Sequence, residues 1–363
     1  VAGLPGAAAP APAPAAVDVD DDHIELAPRA HLVDDDAASA NVDDDHIEPA
    51  RERRPFGRAG FDVAPLAVSG AYDLSPRTLR AAEDAGVDLY FWEPGYDALG
   101  RFLRARERRG RARVITGSYH ADARSIRLDV DRALRVLRRE TLDAFLLFWT
   151  RSPARVDPAA FAILDELRRA GKVRAIGFST HHRALAREAI QASPWDVVMI
   201  RHSAAHPGIE HELLPTAREL GTAVVTFSAL TYGRMISGLD APSPADCYRY
   251  SLSQPGVTAC ISAPRRRDEL VENLAVLDAP HLPPARLAAL REHGAHVHAE
   301  SQRFNALVRQ PTRDAAAAAR ELLAAELLPS DAIAAASPPP RLPHPGPSRR
   351  SRARLGAPGR RSR

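Results

Sequence analysis

The chain has 363 residues, of which 45% are hydrophobic and 26% charged, and its formal net charge is +3. This composition supports a large hydrophobic core, and no run approaches the ~18 apolar residues that would span a membrane. Two cysteines give neither a disulfide framework nor a zinc-type spacing, and the N-terminal sequence lacks the basic and apolar pattern of a secretion signal. We therefore expect a protein of the reducing cytoplasm without a membrane partner.

The two ends of the chain differ in composition from its middle. Residues 1–55 are rich in Pro, Ala and Asp, and residues 306–363 are rich in Ala, Pro and Arg. Both segments contain too few bulky apolar residues to bury a core, so we expect them to be disordered. The basic end could attract nucleic acid, but no aromatic residue is interleaved to stack on bases, which weighs against that partner.

Between residues 56 and 305, short apolar runs alternate with amphipathic segments. Several of the amphipathic segments begin at Ser or Pro and end before Gly, as helices do. The predicted strands cover residues 62–68, 87–91, 113–116, 143–148, 173–179, 196–200, 223–228 and 257–262. Eight such units predict an α/β protein with a (β/α)8 or TIM barrel. A doubly wound sheet is the alternative, but no G-x-G-x-x-G follows the first strand.

Barrel active sites form where the strands end and their following loops begin. The ends of the first four strands carry Tyr72, Trp92, Glu93, Tyr96, Ser118, Tyr119, His120, Phe148 and Trp149. The ends of the last four carry Ser179, Thr180, His181, Arg201, His202, Phe227, Ser228, Ser262 and Arg265–Arg267. One half of the mouth is therefore aromatic and the other polar to basic, which suits a flat, anionic ligand.

Several stretches, in the same order, resemble the aldo–keto reductase family over residues 56 to about 280. The most specific is "LDELRRAGKVRAIGFST" at residues 164–180, and "FGRAGFDVAPLAVSG", "ELGTAVVTFSAL" and "RRRDELVENLAVL" add to it. The resemblance implies a barrel that reduces a small carbonyl compound with NADPH. In the family, an Asp, Tyr, Lys and His tetrad does this, and the tyrosine is the general acid because the lysine lowers its pKa.

Carried over position by position, the resemblance leaves one member of this tetrad. Tyr96 matches the tyrosine, but Phe91 stands at the aspartate position, Ser118 at the lysine position and Phe148 at the histidine position. The only lysine, Lys172, falls in the remote "GKVR" turn. Without a cation nearby, a buried Tyr96 should keep a pKa of about 10 or more and donate its proton poorly.

Two residues could rebuild the acid–base pair. Glu93 could be a carboxyl of raised pKa beside Trp92, and His120 could act as an acid or as a charge near Tyr96. The simpler interpretation makes Tyr96 a loop aromatic, Glu93 a solvated charge and His120 a loop residue. Our predicted catalytic residues are Tyr96, Glu93 and His120.

The cofactor positions depart less from the family. Ser179 matches the residue that holds the nicotinamide amide, with Thr180 in place of its Asn neighbour and Met199 at the Gln position. Phe227, followed by Ser228, stands where an aromatic ring stacks on the nicotinamide. At the eighth helix, the matching residues are Glu272 and Asn273 on the adenine side and Arg265 and Arg266 for a 2′-phosphate, which favours NADP(H) over NAD.

Three functions remain open from the sequence. The first is an NADP(H)-dependent oxidoreductase with an altered tetrad, and the second is a non-catalytic NADP(H)-binding or regulatory protein. The third is a metal-dependent hydrolase that would use His120, His181, His182, His202 and His206, although no His-x-His ends the first strand. The sequence does not predict an oligomeric state.

Overall fold

The structure, a computed structural model, describes residues 52–238 and 240–308. The segments 1–51 and 309–363, for most of which disorder is predicted, lie outside these residues. Within them, no helix is both long enough and apolar enough to cross a bilayer.

Eight parallel strands close into a barrel, which confirms the predicted fold class. The strands are β3 (Leu66–Ser69), β4 (Leu89–Phe91), β5 (Arg113–Ser118), β6 (Leu142–Leu147), β7 (Val173–Thr180), β8 (Val197–Arg201), β9 (Ala223–Phe227) and β10 (Val257–Ser262). Each strand pairs with its sequence neighbour, and β10 pairs with β3 to complete the ring.

The first predicted strand, residues 62–68, is two elements rather than one. A short hairpin of β1 (Arg54–Pro55) and β2 (Asp62–Val63) precedes the barrel, and Pro65 separates it from β3. The hairpin turn places Phe56 against Phe61, with ring centroids 5.2 Å apart, and both rings join the apolar cluster inside the barrel. The hairpin therefore closes the amino-terminal end of the barrel.

Helices follow the barrel strands as the alternation predicts. They are α1 (Pro76–Asp84), α2 (Asp97–Leu103), α3 (Ala123–Leu137), α4 (Pro158–Arg169), α5 (Arg183–Ala192), α6 (Ile209–Glu212), α7 (Leu214–Glu219), α8 (Pro244–Leu252), α9 (Arg267–Leu274) and α10 (Pro284–Val308). Four of these helices have an N-cap side chain that accepts a hydrogen bond from a backbone amide of the first turn. These caps are Ser75, Asp122, Asp157 and Ser243. The starts of α1 at Ser75 and of α4 at Pro158 follow the Ser and Pro signals of the sequence, whereas the caps of α3 and α4 are aspartates.

The core has two layers, and the alternation of side chains along each strand decides which residue enters which layer. On β4, Phe91 packs against the cluster inside the barrel, whereas Tyr90 belongs to the cluster between sheet and helices. Phe148, one residue beyond β6, also joins the interior cluster. Cys247 in α8 and Cys260 in β10 are both buried free thiols.

Candidate active site

Aromatic rings fill the first half of the barrel mouth, where the tetrad of a typical aldo–keto reductase would lie. The ring of Phe91 meets the rings of Phe148 and Tyr96 edge to face, at centroid distances of 5.6 and 6.2 Å. The Tyr119 ring lies 5.3 Å from that of Phe148. A side chain at Gly117 would approach the Phe148 ring to 2.9 Å, so this glycine leaves room for it. No lysine or arginine forms an ion pair with this group among the described residues.

The carboxyl group of Glu93 is bound between two phenols. Tyr96 donates to Oε1 at 3.4 Å, and Tyr119 donates to Oε2 at 3.1 Å. Burial raises the pKa of Glu93, and the two phenol hydrogen bonds oppose that rise only in part. Burial also raises the pKa of both tyrosines, and the charge of Glu93 adds to it. Proton donation from Tyr96 therefore needs help from another group, and Glu93 is in contact with it.

We predicted Trp92 at the mouth because it follows a strand, and this prediction is wrong. Trp92 is 2% exposed, packs between the sheet and the helices, and its indole N–H donates to the Tyr96 carbonyl at 3.2 Å. Because Phe91 points into the barrel, the next residue points outward. Gly100 of α2 leaves room for the indole, since a Cβ there would lie 2.9 Å from Nε1. The apolar surroundings of Glu93 thus come from Tyr96 and Tyr119.

His120 is bound to a different carboxylate. Its Nδ1 lies 2.8 Å from Oδ2 of Asp129 on α3, and the Ser118 hydroxyl donates to the same oxygen at 2.6 Å. Neither Tyr96 nor Glu93 is a hydrogen-bond partner of this imidazole, which is largely exposed. The structure therefore brings together two of the three predicted catalytic residues.

The polar residues after β7 hold the neighbouring strand end. The Ser179 hydroxyl accepts from the Trp149 amide at 2.8 Å, and Thr180 donates to the Thr150 carbonyl at 2.7 Å. Trp149 is half exposed with a φ of 53°, a conformation that is uncommon for a bulky side chain. Since Ser179 accepts in this bond, its own hydrogen can still be donated to a ligand, whereas the Thr180 hydroxyl is 0% exposed and serves the fold.

The other cofactor positions surround the second half of the mouth. Phe227 is partly buried at the end of β9, with the His181 ring 5.2 Å away and edge-on. Ser228 follows in a left-handed conformation with a φ of 59°, which starts the loop before α8. Met199 packs into the barrel interior. Phe227 is therefore partly buried at the carboxyl end of β9, against the cluster inside the barrel.

Asn273 has an unused acceptor. Its Nδ2 donates to the Ser262 hydroxyl at 2.9 Å, but the buried Oδ1 has no hydrogen-bond partner among the described residues. A buried acceptor without a partner costs about 1–3 kcal/mol, so a bound ligand that donates to it would be stabilised. The neighbouring Glu272 is exposed.

The two predicted phosphate-binding arginines differ in their surroundings. Arg266 binds Asp268 at 3.0 Å and Glu269 at 3.4 Å, so acids of the first turn of α9 already offset its charge. The Arg265 guanidinium lies 5.3 Å from the Tyr72 ring centroid and forms no ion pair among the described residues. Of the two, Arg265 is the one free to meet a phosphate.

The histidines considered as metal ligands are dispersed. His202 is fully buried between Ser251 at 2.8 Å and Glu210 at 3.2 Å, and His206 contacts Ser203. Over the residues that the structure describes, no group of three or more His, Cys, Asp or Glu side chains could hold a metal ion. The geometry thus offers no ligand set for the hydrolase alternative.

Comparison with known proteins agrees with this fold. The sequence model of the Aldo/keto reductase family matches residues 76–244. The NADH-specific methylglyoxal reductase of Escherichia coli is 33% identical over 111 residues, a segment that covers 30% of this chain and 34% of that protein.

In sequence, the barrel is similar to the aldo/keto reductases over these residues.

Solved structures of low sequence identity share its fold. The holo form of AKR11C1, an aldo-keto reductase from Bacillus halodurans, superposes with a TM-score of 0.57 at 18% identity and covers 68% of this chain and 96% of that one. For PA4992 of Pseudomonas aeruginosa the TM-score is 0.54 at 21% identity, with 63% and 95% covered. The barrel described here has a group of packed aromatic rings in the first half of its mouth.

Sequence reasoning placed Tyr119 and Trp149 at the mouth but gave neither a role. The local signal for Tyr119 is that it follows Ser118, the residue at the lysine position. Its contact with Glu93 is 26 residues away in sequence and depends on the pairing of β4 with β5. No local pattern predicts that contact.

Proposed function

We propose that the protein is an NADP(H)-dependent oxidoreductase that reduces a small carbonyl compound with an altered acid–base group. The observation that carries this proposal is the hydrogen bond between Tyr96 and Glu93 at the mouth of an aldo/keto reductase barrel. Two buried, free thiols are compatible with the cytoplasm, which we propose as its compartment.

The proposed chemistry divides the work between the two residues. When bound, the reduced nicotinamide supplies a hydride to the carbonyl carbon. Tyr96 donates its proton to the carbonyl oxygen and recovers one from Glu93, whose burial favours the protonated carboxyl at a higher pH than usual. Tyr96 thus keeps the role of the family tyrosine, and Glu93 replaces the lysine as the group that makes it competent.

NADP(H) is the proposed cofactor because of Arg265, Asn273, Ser179 and Phe227. Arg265 forms no ion pair among the described residues and can meet a 2′-phosphate, and the orphaned Oδ1 of Asn273 can accept from adenine. The related reductase of Escherichia coli is named as NADH-specific, so the two cofactors must be compared directly.

The weakened acid favours reactive carbonyl groups. Without a neighbouring cation, Tyr96 has a raised pKa and stabilises a developing alkoxide poorly. A 1,2-dicarbonyl compound or a quinone forms a less basic oxyanion and needs less help from an acid. The aromatic mouth is compatible with such planar substrates, and the related methylglyoxal reductase is named for a dicarbonyl substrate.

A non-catalytic NADP(H)-binding protein is the second candidate. By the resemblance, Phe91, Ser118 and Phe148 stand at three of the four tetrad positions, and the rings of Phe91 and Phe148 pack together there. Such a protein would bind the cofactor and not oxidise it.

The test is a titration of the full-length protein with NADPH and with NADH, followed by nicotinamide fluorescence. The same sample is then given methylglyoxal, 9,10-phenanthrenequinone and acetone while nicotinamide absorbance is recorded. We expect tighter binding of NADPH, faster oxidation with the first two compounds than with acetone, and a loss of at least ~10²-fold in kcat for Tyr96→Phe at unchanged cofactor affinity.

Each other outcome has a distinct meaning. Binding without oxidation by any compound supports the regulatory alternative. Tighter binding of NADH removes the role proposed for Arg265. If neither cofactor binds, both proposals are wrong.

A further inference from the structure

The carboxyl group of Glu93 joins two phenols that differ in their access to solvent. Tyr96, on the inner side, is half-buried and contacts Phe91, whereas the side chain of Tyr119 is 57% exposed. Each phenol binds its own oxygen of the carboxyl, Oε1 for Tyr96 and Oε2 for Tyr119. The three groups therefore form a continuous hydrogen-bonded path from solvent to the proposed acid.

Packing holds this path in place. The Tyr119 ring lies against the buried Phe148 ring, and Phe148 in turn contacts Phe91, which contacts Tyr96. An exposed tyrosine without such support would lose its geometry to side-chain motion, because ordering a free side chain costs entropy. The residues at the histidine and aspartate positions of the tetrad thus position the two tyrosines.

We propose that Tyr119, Glu93 and Tyr96 form a proton relay in which Tyr119 carries protons from solvent to the carboxyl group of Glu93. The inference rests on the proposed function and assigns to Tyr119 a role that the family tetrad does not contain. Tyr119 is a positioning and relay residue in this scheme, since Tyr96 is the group that touches the substrate oxygen.

The relay balances over one reduction. As the hydride from the reduced nicotinamide reaches the carbonyl carbon, the Tyr96 proton moves to the carbonyl oxygen. The Glu93 proton moves to the Tyr96 oxygen, the Tyr119 proton moves to Glu93, and Tyr119 takes one proton from water. Both tyrosines have raised pKa values, so a free phenolate is unfavourable and the transfers must be coupled.

Other groups near Glu93 do not offer this path. In the loop after β5, His120 is bound to Asp129, and in the loop after β3 the charge of Tyr72 acts on Tyr96 rather than on Glu93. Apart from burial, the groups that act on the Glu93 pKa are Tyr96 and Tyr119. A change in the titration of Glu93 on removal of the Tyr119 hydroxyl therefore reports directly on this contact.

The test compares Tyr119→Phe with wild type in the full-length protein, with NADPH and methylglyoxal as substrates. The substitution keeps the ring against Phe148 and removes only the hydroxyl. We expect unchanged NADPH affinity and a kcat lower by about 10-fold, less than the ~10²–10⁴ of a positioned acid because water can replace the outer donor. The decline of kcat with rising pH should move to higher pH, since Glu93 loses a bond that stabilises its charged form.

Tyr90→Phe is the matched control. Tyr90 lies on β4, the strand before Glu93. The substitution removes a buried hydroxyl that donates to the Val87 carbonyl at 3.1 Å and forms no hydrogen bond with Tyr96, Glu93 or Tyr119. We expect its kcat and pH profile to match those of wild type.

The outcomes separate the relay from the proposed function. Unchanged kcat and pH profile in Tyr119→Phe, with normal turnover in wild type, would overturn the relay alone and leave Tyr119 as a rim aromatic. Wild-type protein that binds NADPH and reduces no carbonyl would overturn both. Failure to bind NADPH would overturn the proposed function. The pKa of Glu93, measured by carboxyl 13C NMR in wild type and in Tyr119→Phe, would then test the hydrogen bond between Tyr119 and Glu93, and equal values would overturn it.

Discussion

The carboxyl group of Glu93 is partly buried and forms no ion pair among the described residues, so its charge is held only by two phenols. An acid whose pKa is raised by folding disfavours the charged form in the native state. The unfolded state loses its proton near pH 4.5, and the native state does so at higher pH. Stability is therefore lost as pH rises from the unfolded pKa through the folded pKa.

The substitution Glu93→Gln should have opposite effects on stability and on activity. Near pH 8 we expect a melting temperature a few degrees above wild type, because each 1 kcal/mol corresponds to about 2–4 °C in a domain of this size. Below about pH 4, where the carboxyl is neutral in both states, the gain should vanish. Activity should fall about 10²-fold and lose its decline with rising pH.

Calorimetry at several pH values and steady-state kinetics check these two effects. A melting temperature that falls by the same amount at pH 4 and pH 8 would show a packing defect, and the assignment of a buried charge would then be wrong. Asp97→Asn, at an exposed acid that begins α2, is the matched control, and we expect no change in either measurement.

At the residue scale, the sequence predicted which side chains reach the mouth better than it predicted their partners. The resemblance implied Tyr96 as the acid, Glu93 was proposed as a carboxyl of raised pKa in the same loop, and the structure places the two in contact. Trp92 was placed at the mouth because it shares that loop, but the side-chain alternation turns it outward. His120 pairs with Asp129 nine residues later, on a helix whose orientation the sequence does not specify.

At the element scale, an aspartate stands at the start of three strand segments and accepts from a backbone amide in the preceding strand or, for Asp88, just before it. Asp88 accepts from the Ala64 amide at 2.8 Å, Asp143 from the Val114 amide at 3.1 Å and Asp196 from the Ile176 amide at 3.0 Å. These bonds lie at the amino-terminal ends of the strands. In a barrel, the residues of that face contribute to stability, and the chemistry takes place at the opposite face.

The cost of removing these aspartates should follow the burial of their partners. Asp143 is 4% exposed and binds the buried guanidinium of Arg139 at 2.8 Å. Asp143→Ala would leave that cation without its partner, and we expect a loss of about 3–5 kcal/mol in the free energy of unfolding. Asp88 pairs instead with Arg53, which is 47% exposed. In Asp88→Ala, we expect the loss of this ion pair to lower the free energy of unfolding by about 1 kcal/mol or less, in addition to the loss of the hydrogen bond from the Ala64 amide.

Urea unfolding of the two variants checks whether Asp143→Ala loses more free energy of unfolding than Asp88→Ala. Equal losses would mean that the shared amide bond, and not the buried ion pair, determines the stability of this face. Cofactor affinity should remain at the wild-type level in Asp88→Ala, because the substitution lies at the end of the barrel opposite to the site.

Element boundaries were predictable where a local signal exists. Helices α1, α3, α4 and α8 begin after Ser or Asp caps, and the period of apolar residues predicted their faces. The error at residues 62–68 arose because an apolar run continues through Pro65. The hairpin before it is stabilised by contacts with the barrel interior, such as Phe56 against Phe61, and not by its own short ladder.

At the scale of the whole molecule, a buried polar network joins elements that are distant in the chain. Glu210 of α6 contacts His202 after β8, Tyr250 of α8 at 2.7 Å and Arg291 of α10 at 3.0 Å. Burial alone would raise the Glu210 pKa, but these hydrogen bonds outweigh it and lower the pKa to about 2. The carboxylate side chain is 7% exposed, so the network acts on a charge shielded from water.

This network should give the fold resistance to acid. Because the folded pKa lies below the unfolded one, its contribution is present above about pH 4.5 and is lost as pH falls towards 2. We expect Glu210→Gln to reduce stability by about 2–3 kcal/mol at pH 7, or about 5–10 °C in melting temperature, with a smaller difference near pH 3.

Thermal unfolding between pH 3 and pH 7 measures this difference. Glu292→Gln, at an exposed acid next to Arg291, is the control and should have no effect. A difference that does not depend on pH would show that Glu210 acts through packing and not through its charge.

The sequence by itself determined the class of fold and the resemblance to the aldo/keto reductases, because strand periodicity, helix caps and motif spacing are local properties. Only the tertiary structure decided which side chains contact one another at the mouth of the barrel. Glu93 meets Tyr119 across two paired strands, Asp129 reaches His120 from a helix, and Asp268 and Glu269 turn to Arg266. Such contacts depend on strand register and side-chain direction in three dimensions, and these follow from the packing of the whole barrel.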